Sequence, residues 1–231
     1  MKQSATKLSI IFFLALFAEL SVLFFQLNDF QIFTKPLLML ILLVYFRMNS
    51  LESIDTKYLI IFALVFSWFG DVFLLFEKQN SSLFIFGLGS FLIAHLCYIV
   101  YFNQIRRRNG VSFVPKILVS LCVLIYVVSL FIVLVPNLKS LQIPVFFYAL
   151  TLAAMLLTSF HAFDFTKHRF GKLCIAGTIL FVVSDSILSI NRFYQPFKFA
   201  NILIMLTYAV AQFLITIGAL DNLNFLDKSD A

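Results

Sequence analysis

Residues 58–76 read Tyr58-Leu59-Ile60-Ile61-Phe62-Ala63-Leu64-Val65-Phe66-Ser67-Trp68-Phe69-Gly70-Asp71-Val72-Phe73-Leu74-Leu75-Phe76, nineteen positions with one charged side chain. An apolar run of roughly 17–25 residues is what a bilayer-spanning helix needs. Asp71 breaks that pattern, and an ionised carboxylate at membrane depth costs about 3 kcal/mol even on lenient insertion scales. Such a group is kept where it faces a bundle interior or a wet cavity. Residues 173–190 repeat the arrangement, with Ser184-Asp185-Ser186 inside a second apolar run.

Composition extends this reading to the whole chain. Of 231 residues, 62% are hydrophobic and 12% charged, with a mean hydropathy of +1.01. A soluble domain is nearer half apolar and a quarter charged. The class is therefore an all-α polytopic membrane protein, and residues 1–231 form one integral membrane domain, since no polar stretch is long enough for a soluble one. The net charge of +6 sits in loops between apolar runs, so it reports orientation and does not indicate a nucleic-acid partner. Cys97, Cys122 and Cys174 lie inside apolar runs without metal spacing or a disulfide framework. The 31 phenylalanines are spread over the spans, which suits packing and lipid contact more than one aromatic site. No small-residue cleavage site follows residues 8–25, so that run is read as a span and not a signal peptide.

Eight spans are expected, at about residues 8–25, 36–48, 58–76, 83–102, 114–135, 143–160, 173–190 and 199–220. The second is short, but Pro36 in its first turn and Lys35 just before make a credible start. Polar breaks such as Glu77-Lys78-Gln79-Asn80-Ser81 and Pro136-Asn137 separate the runs. An even number of spans puts both termini on one side. Twelve Lys/Arg lie at the termini and on the even-numbered loops (Lys2, Lys7, Arg47, Lys57, Arg106, Arg107, Arg108, Lys116, Lys167, Arg169, Lys172, Lys228), against five opposite (Lys35, Lys78, Lys139, Arg192, Lys198). By the positive-inside rule the termini are cytoplasmic. A bacterial inner (plasma) membrane is the expected location.

In this topology Asp71 and Asp185 lie at matched depth, roughly 7–8 Å below the outer ends of their helices at about 1.5 Å per residue. Gly177, Phe181, Asp185, Leu188 and Arg192 recur at helical spacing. His95 and Tyr98 share a face with Gly87 and Phe91, Tyr208 shares one with Gln212, and Glu19 lies midway along the first span. Together these residues fit one polar pocket. Structural roles compete with that reading. Asp71 and Asp185 can serve only as ion-pair partners of Lys35 or Arg192, while His95, Tyr98, Tyr208 and Gln212 can be interhelical glue. Gly70, Gly87 and Gly89 read as close-packing positions, and Arg106-Arg107-Arg108 as a cytoplasmic anchor near anionic lipid heads. His161, Asp164 and His168 have helical spacing but no further strong ligand nearby, so no metal is expected.

Five segments, in order from residue 34 to 212, resemble the YhhN-like family of membrane proteins. They are Thr34-Lys35-Pro36-Leu37, Phe69-Gly70-Asp71-Val72, Phe86-Gly87-Leu88-Gly89-Ser90-Phe91-Leu92-Ile93-Ala94-His95-Leu96-Cys97-Tyr98, Gly177-Thr178-Ile179-Leu180-Phe181-Val182-Val183-Ser184-Asp185 and Tyr208-Ala209-Val210-Ala211-Gln212. Members are similar to lysoplasmalogenases, eight-helix hydrolases that split the vinyl ether of lysoplasmalogens into a fatty aldehyde and a glycerophospho-base. The resemblance thus implies an ether-bond hydrolase whose partners are a lysophospholipid-like amphiphile, water and the surrounding membrane lipids.

The chemistry asks for the same residues. Vinyl-ether hydrolysis needs an acid that protonates the enol carbon and a carboxylate that stabilises the oxocarbenium ion or activates water. Paired acids divide such roles in glycosidases. Asp71 and Asp185 suit that division, with neither metal nor cofactor required. His95 and Tyr98 suit water or headgroup positioning, and Lys35 and Arg192 suit phosphate binding. Two other classes keep buried acids: a proton-coupled transporter, whose inverted repeat is not visible, and a non-catalytic lipid-binding protein, which would tolerate Asp→Asn. An intramembrane aspartyl protease would carry Gly-x-Gly-Asp, whereas here Ser67-Trp68-Phe69 precedes Gly70-Asp71.

Overall fold

The computed structural model describes residues 2–50, 56–108, 117–163 and 169–230, and every regular element among them is helical. In chain order these are α1 (Lys2–Phe24), α2 (Gln31–Asn49), α3 (Lys57–Leu75), α4 (Ser82–Arg108), α5 (Ile117–Leu138), α6 (Gln142–Ala162), α7 (Arg169–Ser189) and α8 (Ala200–Asp230). Helices are the open-chain solution for apolar segments in lipid, because each satisfies its own backbone. Polar punctuation sets the ends. Asn80 Oδ1 accepts from the Ser82 N–H at 3.0 Å, capping the start of α4, and Asn191 Oδ1 accepts from the Phe197 N–H at 3.2 Å after α7.

Six helices close a ring in which each packs on the next: α2, α3, α4, α6, α7, α8 and back to α2. Outside this ring α1 lies along α2 and α8, and α5 lies along α6. The outer faces carry large exposed apolar side chains, among them Leu14 and Phe17 of α1 and Leu118, Ile125 and Ile132 of α5. That surface suits contact with lipid, whereas soluble monomers rarely expose a contiguous patch of this kind. Close approach inside the ring rests on small residues. A Cβ on Gly87 would lie 2.9 Å from Leu74, one on Gly177 2.8 Å from the Ala211 carbonyl, and one on Gly218 2.8 Å from the Phe170 carbonyl. Gly89 departs from this pattern: it points away from the bundle with nothing within 4 Å, because it is two positions, and so about 200°, around α4 from Gly87.

Among the described residues seven helical stretches are long and apolar enough to cross a membrane. The difference from eight lies at residues 117–162, where α5 and α6 follow one another through the 3₁₀ turn Lys139–Leu141. The expected break at Pro136-Asn137 is displaced. Helix α5 runs through Pro136 to Leu138, losing only the one backbone bond that proline cannot make, and the chain turns at Lys139 with φ 48°. Likewise α2 begins at Gln31, not at Pro36, after a 3₁₀ turn Asn28–Phe30, so Pro36 sits in its second turn. A π-helical turn, Ile190–Tyr194, extends α7.

Candidate active site

Asp71 stands four residues before the end of α3, and its neighbour Gly70 explains the tight surroundings. A Cβ at Gly70 would fall 2.6 Å from the Phe91 ring, so only glycine lets α4 come this close beside the carboxylate. Tyr208 of α8 donates its Oη to Asp71 Oδ2 at 2.8 Å, and Lys35 Nζ of α2 lies 3.7 Å from Oδ1. The Tyr208 ring is held edge-on by Phe91 at 5.8 Å and by Phe181 at 5.5 Å between centroids. Edge-to-face contacts of this kind fix ring orientation as well as burying area.

Asp185 occupies the equivalent place on α7, four residues before its end. Its Oδ2 accepts from Tyr148 Oη of α6 at 2.6 Å, and among the described residues it makes no ion pair. Behind Tyr148 stands His95, fully buried, with its ring 5.3 Å from Tyr148 and 4.7 Å from Phe181. Neither His95 nitrogen has a hydrogen-bond partner among the described residues.

One cavity of about 490 Å³ is lined by both aspartates together with Lys35, Tyr148, Ser184 and Tyr208. It lies at the end of the ring where α3 and α7 finish and where α2, α4 and α8 begin. A larger cleft of about 780 Å³ continues from it past Asp185 and Tyr148, bounded by α5 and α6. The two spaces thus meet at a carboxylate: on one side Lys35, Asp71, Ser184 and Tyr208 stand among apolar side chains, and on the other the wall is almost wholly apolar.

The other singled-out residues divide by layer. Tyr98 Oη donates to Gln212 Oε1 at 2.6 Å, and Gln212 Nε2 donates to Ser67 Oγ at 2.8 Å, a buried chain joining α4, α8 and α3 one turn beneath Tyr208. It braces the pocket without lining it. Arg192 faces the larger cleft, pairs with Glu77 at 2.8 Å and covers the Phe84 ring at 3.7 Å. It belongs to the π-helical turn that extends α7 and lines the larger cleft together with Asp185 and Leu188, whereas the smaller cavity reaches only the latter two. Glu19 is buried at the α1–α2 seam, accepting from Thr34 Oγ1, and lines neither space. Of the suggested metal trio, His161 contacts the Leu157 carbonyl, while Asp164 and His168 lie outside the described residues. Among the described residues no three His, Cys, Asp or Glu side chains gather as a metal site.

Tyr148 and Ser184 were not expected in the pocket. For Tyr148 the signal the sequence offers is a phenol in the largely apolar run 143–160, a polar tip that must find a partner at membrane depth.

The sequence profile of the YhhN family matches residues 30–219. A lysoplasmalogenase of Mycobacterium bovis is 33% identical over 159 residues, covering 68% of this chain and 58% of the relative. The human lysoplasmalogenase TMEM86B is 33% identical over 158 residues, covering 68% and 62%, and human TMEM86A is 27% identical over 169 residues, covering 69% and 64%. The matched region thus spans about six-tenths of the length of these curated relatives. No solved structure matches the chain.

Proposed function

The chain belongs to the YhhN family, and from that premise we propose that it is a multi-pass membrane hydrolase of lysoplasmalogen-like lipids, cleaving their vinyl ether to a fatty aldehyde and a glycerophospho-base. The observation that carries this reading is the shared cavity. Asp71 and Asp185 come from different helices, line one space, and stand where that space meets an apolar cleft. An amphiphile has the matching shape: a polar head, a reactive ether at the boundary, and one hydrocarbon chain.

The partners of each acid support a division of labour. Lys35 balances a negative charge on Asp71, and Tyr208 orients the same carboxylate, which suits it to stabilise a cation and to activate water. Asp185, with a phenol and no cation, suits the acid's role at the edge of the hydrocarbon. Its proton adds to the vinyl carbon distant from oxygen, and the oxygen lone pair takes up the positive charge as an oxocarbenium ion. Water adds to the carbon next to oxygen, passing a proton to Asp71. The hemiacetal then collapses: its carbon–oxygen bond to glycerol breaks, the glycerol oxygen takes the proton held by Asp71, and the hemiacetal hydroxyl gives its proton to Asp185 as the aldehyde carbonyl forms, which returns both acids to their starting states. One water is consumed, and no electrons are exchanged. Lys35 is placed to meet the phosphate.

The topology belongs to the same proposal. A straight helix over residues 117–162 would run about 69 Å at 1.5 Å per residue, more than twice a hydrocarbon core of roughly 30 Å. Reading the turn at Lys139 as a reversal gives eight crossings with both termini cytoplasmic, in the inner membrane of a bacterium. Single cysteines at Ser140 and Arg108 are then accessible from opposite faces, and labelling from one face overturns it. For the activity, purified protein releases aldehyde from choline or ethanolamine lysoplasmalogens, and chelators leave the rate unchanged. No release from either lipid would show the reading to be wrong.

A further inference from the structure

The larger cleft is built unlike the pocket it joins. Two of its walls are mostly apolar side chains of α5 and α6, among them Val123, Val127 and Leu130 facing Ala149, Ala153 and Leu156, and α7 closes the third with Val182, Asp185, Ser186 and Leu188. Helix α5 packs chiefly on α6 and on the π-helical turn, so it stands off from α7 and leaves the gap between them. One hydrogen bond reaches across that gap, from Tyr126 Oη to Ser186 Oγ at 2.6 Å. From Leu134 at the Phe193 end to Val123 at the other end the cleft follows α5 for eleven residues, about 16 Å at 1.5 Å per residue. One leaflet is half of a hydrocarbon core of roughly 30 Å, so a single lipid chain runs about 15 Å. The two lengths agree.

We infer that the gap between α5 and the helices α6 and α7 is the binding site for the hydrocarbon chain of the lipid whose head occupies the Asp71–Lys35 pocket. The assignment rests on the reading of that pocket as a lysolipid site. Continuity selects the occupant: Asp185, Tyr148, Phe84 and Leu88 border both spaces, so a chain threaded through the cleft delivers its first carbons to the acid. The small residues Ala149 and Ala153 leave the width for it. Chain length is then sensed along α5 and α6, away from the polar groups.

The test uses the full-length protein and 1-O-alkyl lysophospholipids, whose saturated ether lacks the double bond the reaction protonates. Each carries a photoactivatable diazirine at the chain terminus. A hexadecyl probe marks peptides containing Val123, Val127 or Leu156. In Ala153→Trp the indole fills the far half of the cleft, and capture of the hexadecyl probe falls about tenfold, the equivalent of one overpacked side chain, while an octyl probe is captured as before. Val127→Trp, from the opposite wall, reproduces this length dependence in a protein whose thermal unfolding is unchanged. Adducts spread equally over outward residues such as Phe17 and Phe62, equal capture of a diacyl probe, or a hexadecyl signal untouched by both variants would each overturn the site. Cleft adducts without aldehyde release from any lysoplasmalogen would overturn the activity and leave the chain site standing. Aldehyde release with surface adducts alone would do the reverse.

Discussion

Helices α5 and α8 are both apolar, yet they are held in opposite ways. Helix α8 touches α1, α2, α3 and α7 and is buried along more of its length than any other span. Helix α5 lies in the most apolar stretch of the chain and buries only Val123, Leu134 and Leu138. Hydropathy therefore fails as a guide to burial here, for a physical reason: lipid tails solvate leucine as well as another helix does, so association depends on close packing and polar contacts. Helix α8 has both, with Gly218 against Phe170 and with Tyr208 and Gln212 bonded across the ring. Helix α5 has neither glycine nor internal charge, and Tyr126 supplies its one polar link into α7. The tight side fixes the acids, and the loose side leaves room beside them.

The contrast can be broken most severely at the acids themselves. Asp71→Asn and Asp185→Asn keep the helical fold and lower aldehyde release about 10²–10⁴-fold, the usual contribution of a general acid or base; wild-type rates in both would remove the catalytic role. Next comes the tight side. Gly177→Leu drives a side chain into Ala211 and Ile215, and overpacking of this kind costs about 1–3 kcal/mol, read as a lower thermal midpoint in detergent. An unchanged midpoint would mean that α7 and α8 are not in close contact.

An effect of similar size sharpens the link between the two sides. Tyr148→Phe removes the phenol that orients Asp185, and a hydrogen bond to a carboxylate is worth about 1.5–3 kcal/mol. We expect kcat to fall about tenfold or more with KM little changed; a change confined to KM would make Tyr148 a substrate contact only. The smallest effect is on the outer face of α5, where Val128→Ala shifts stability by no more than about 0.5 kcal/mol. In the same vein, Cys122, exposed on α5, reacts with maleimide in micelles, whereas Cys174, buried in the ring, reacts only after unfolding.

The apolar runs, and the place of the two aspartates about one turn from their helix ends, were legible in the sequence because both follow from composition and from a rise of 1.5 Å per residue. Lys35 and Tyr208, singled out with them, line the same cavity. The remainder depended on information that periodicity does not hold. Tyr148 looks like one more aromatic residue in a greasy span until its hydroxyl is seen to need an acceptor. Arg192 lines the larger cleft beside Asp185 but not the smaller cavity, and its partner Glu77 comes from a loop whose position no pattern fixes. The start of α2 lies five residues before Pro36 because the helix runs through that proline at the loss of one backbone bond, and periodicity carries no sign of this. His95 and Gln212 read as pocket residues from their faces alone. Depth along the helix separates them from it: the cavity ends at the ring of Phe91 and Tyr208, one turn above.

Helix lengths differ across the ring, and the surplus falls at one end. Helix α3 has 19 residues, about 28 Å, close to a hydrocarbon core of roughly 30 Å, whereas α4 has 27 and α8 has 31, about 40 and 46 Å. All three are level at the pocket, where α3 ends and the others begin, so the excess of α4 and α8 projects from the far side with Arg106, Arg107 and Arg108. On the proposed topology the molecule is flush with one membrane surface and stands proud of the other. The aspartates then lie just beneath the flush surface, within reach of headgroups in that leaflet alone. On that topology added bilayer thickness falls along the projecting turns of α4 and α8, where Arg106, Arg107 and Arg108 resist burial at about 3 kcal/mol each, and the carboxylates keep their depth beneath the flush surface.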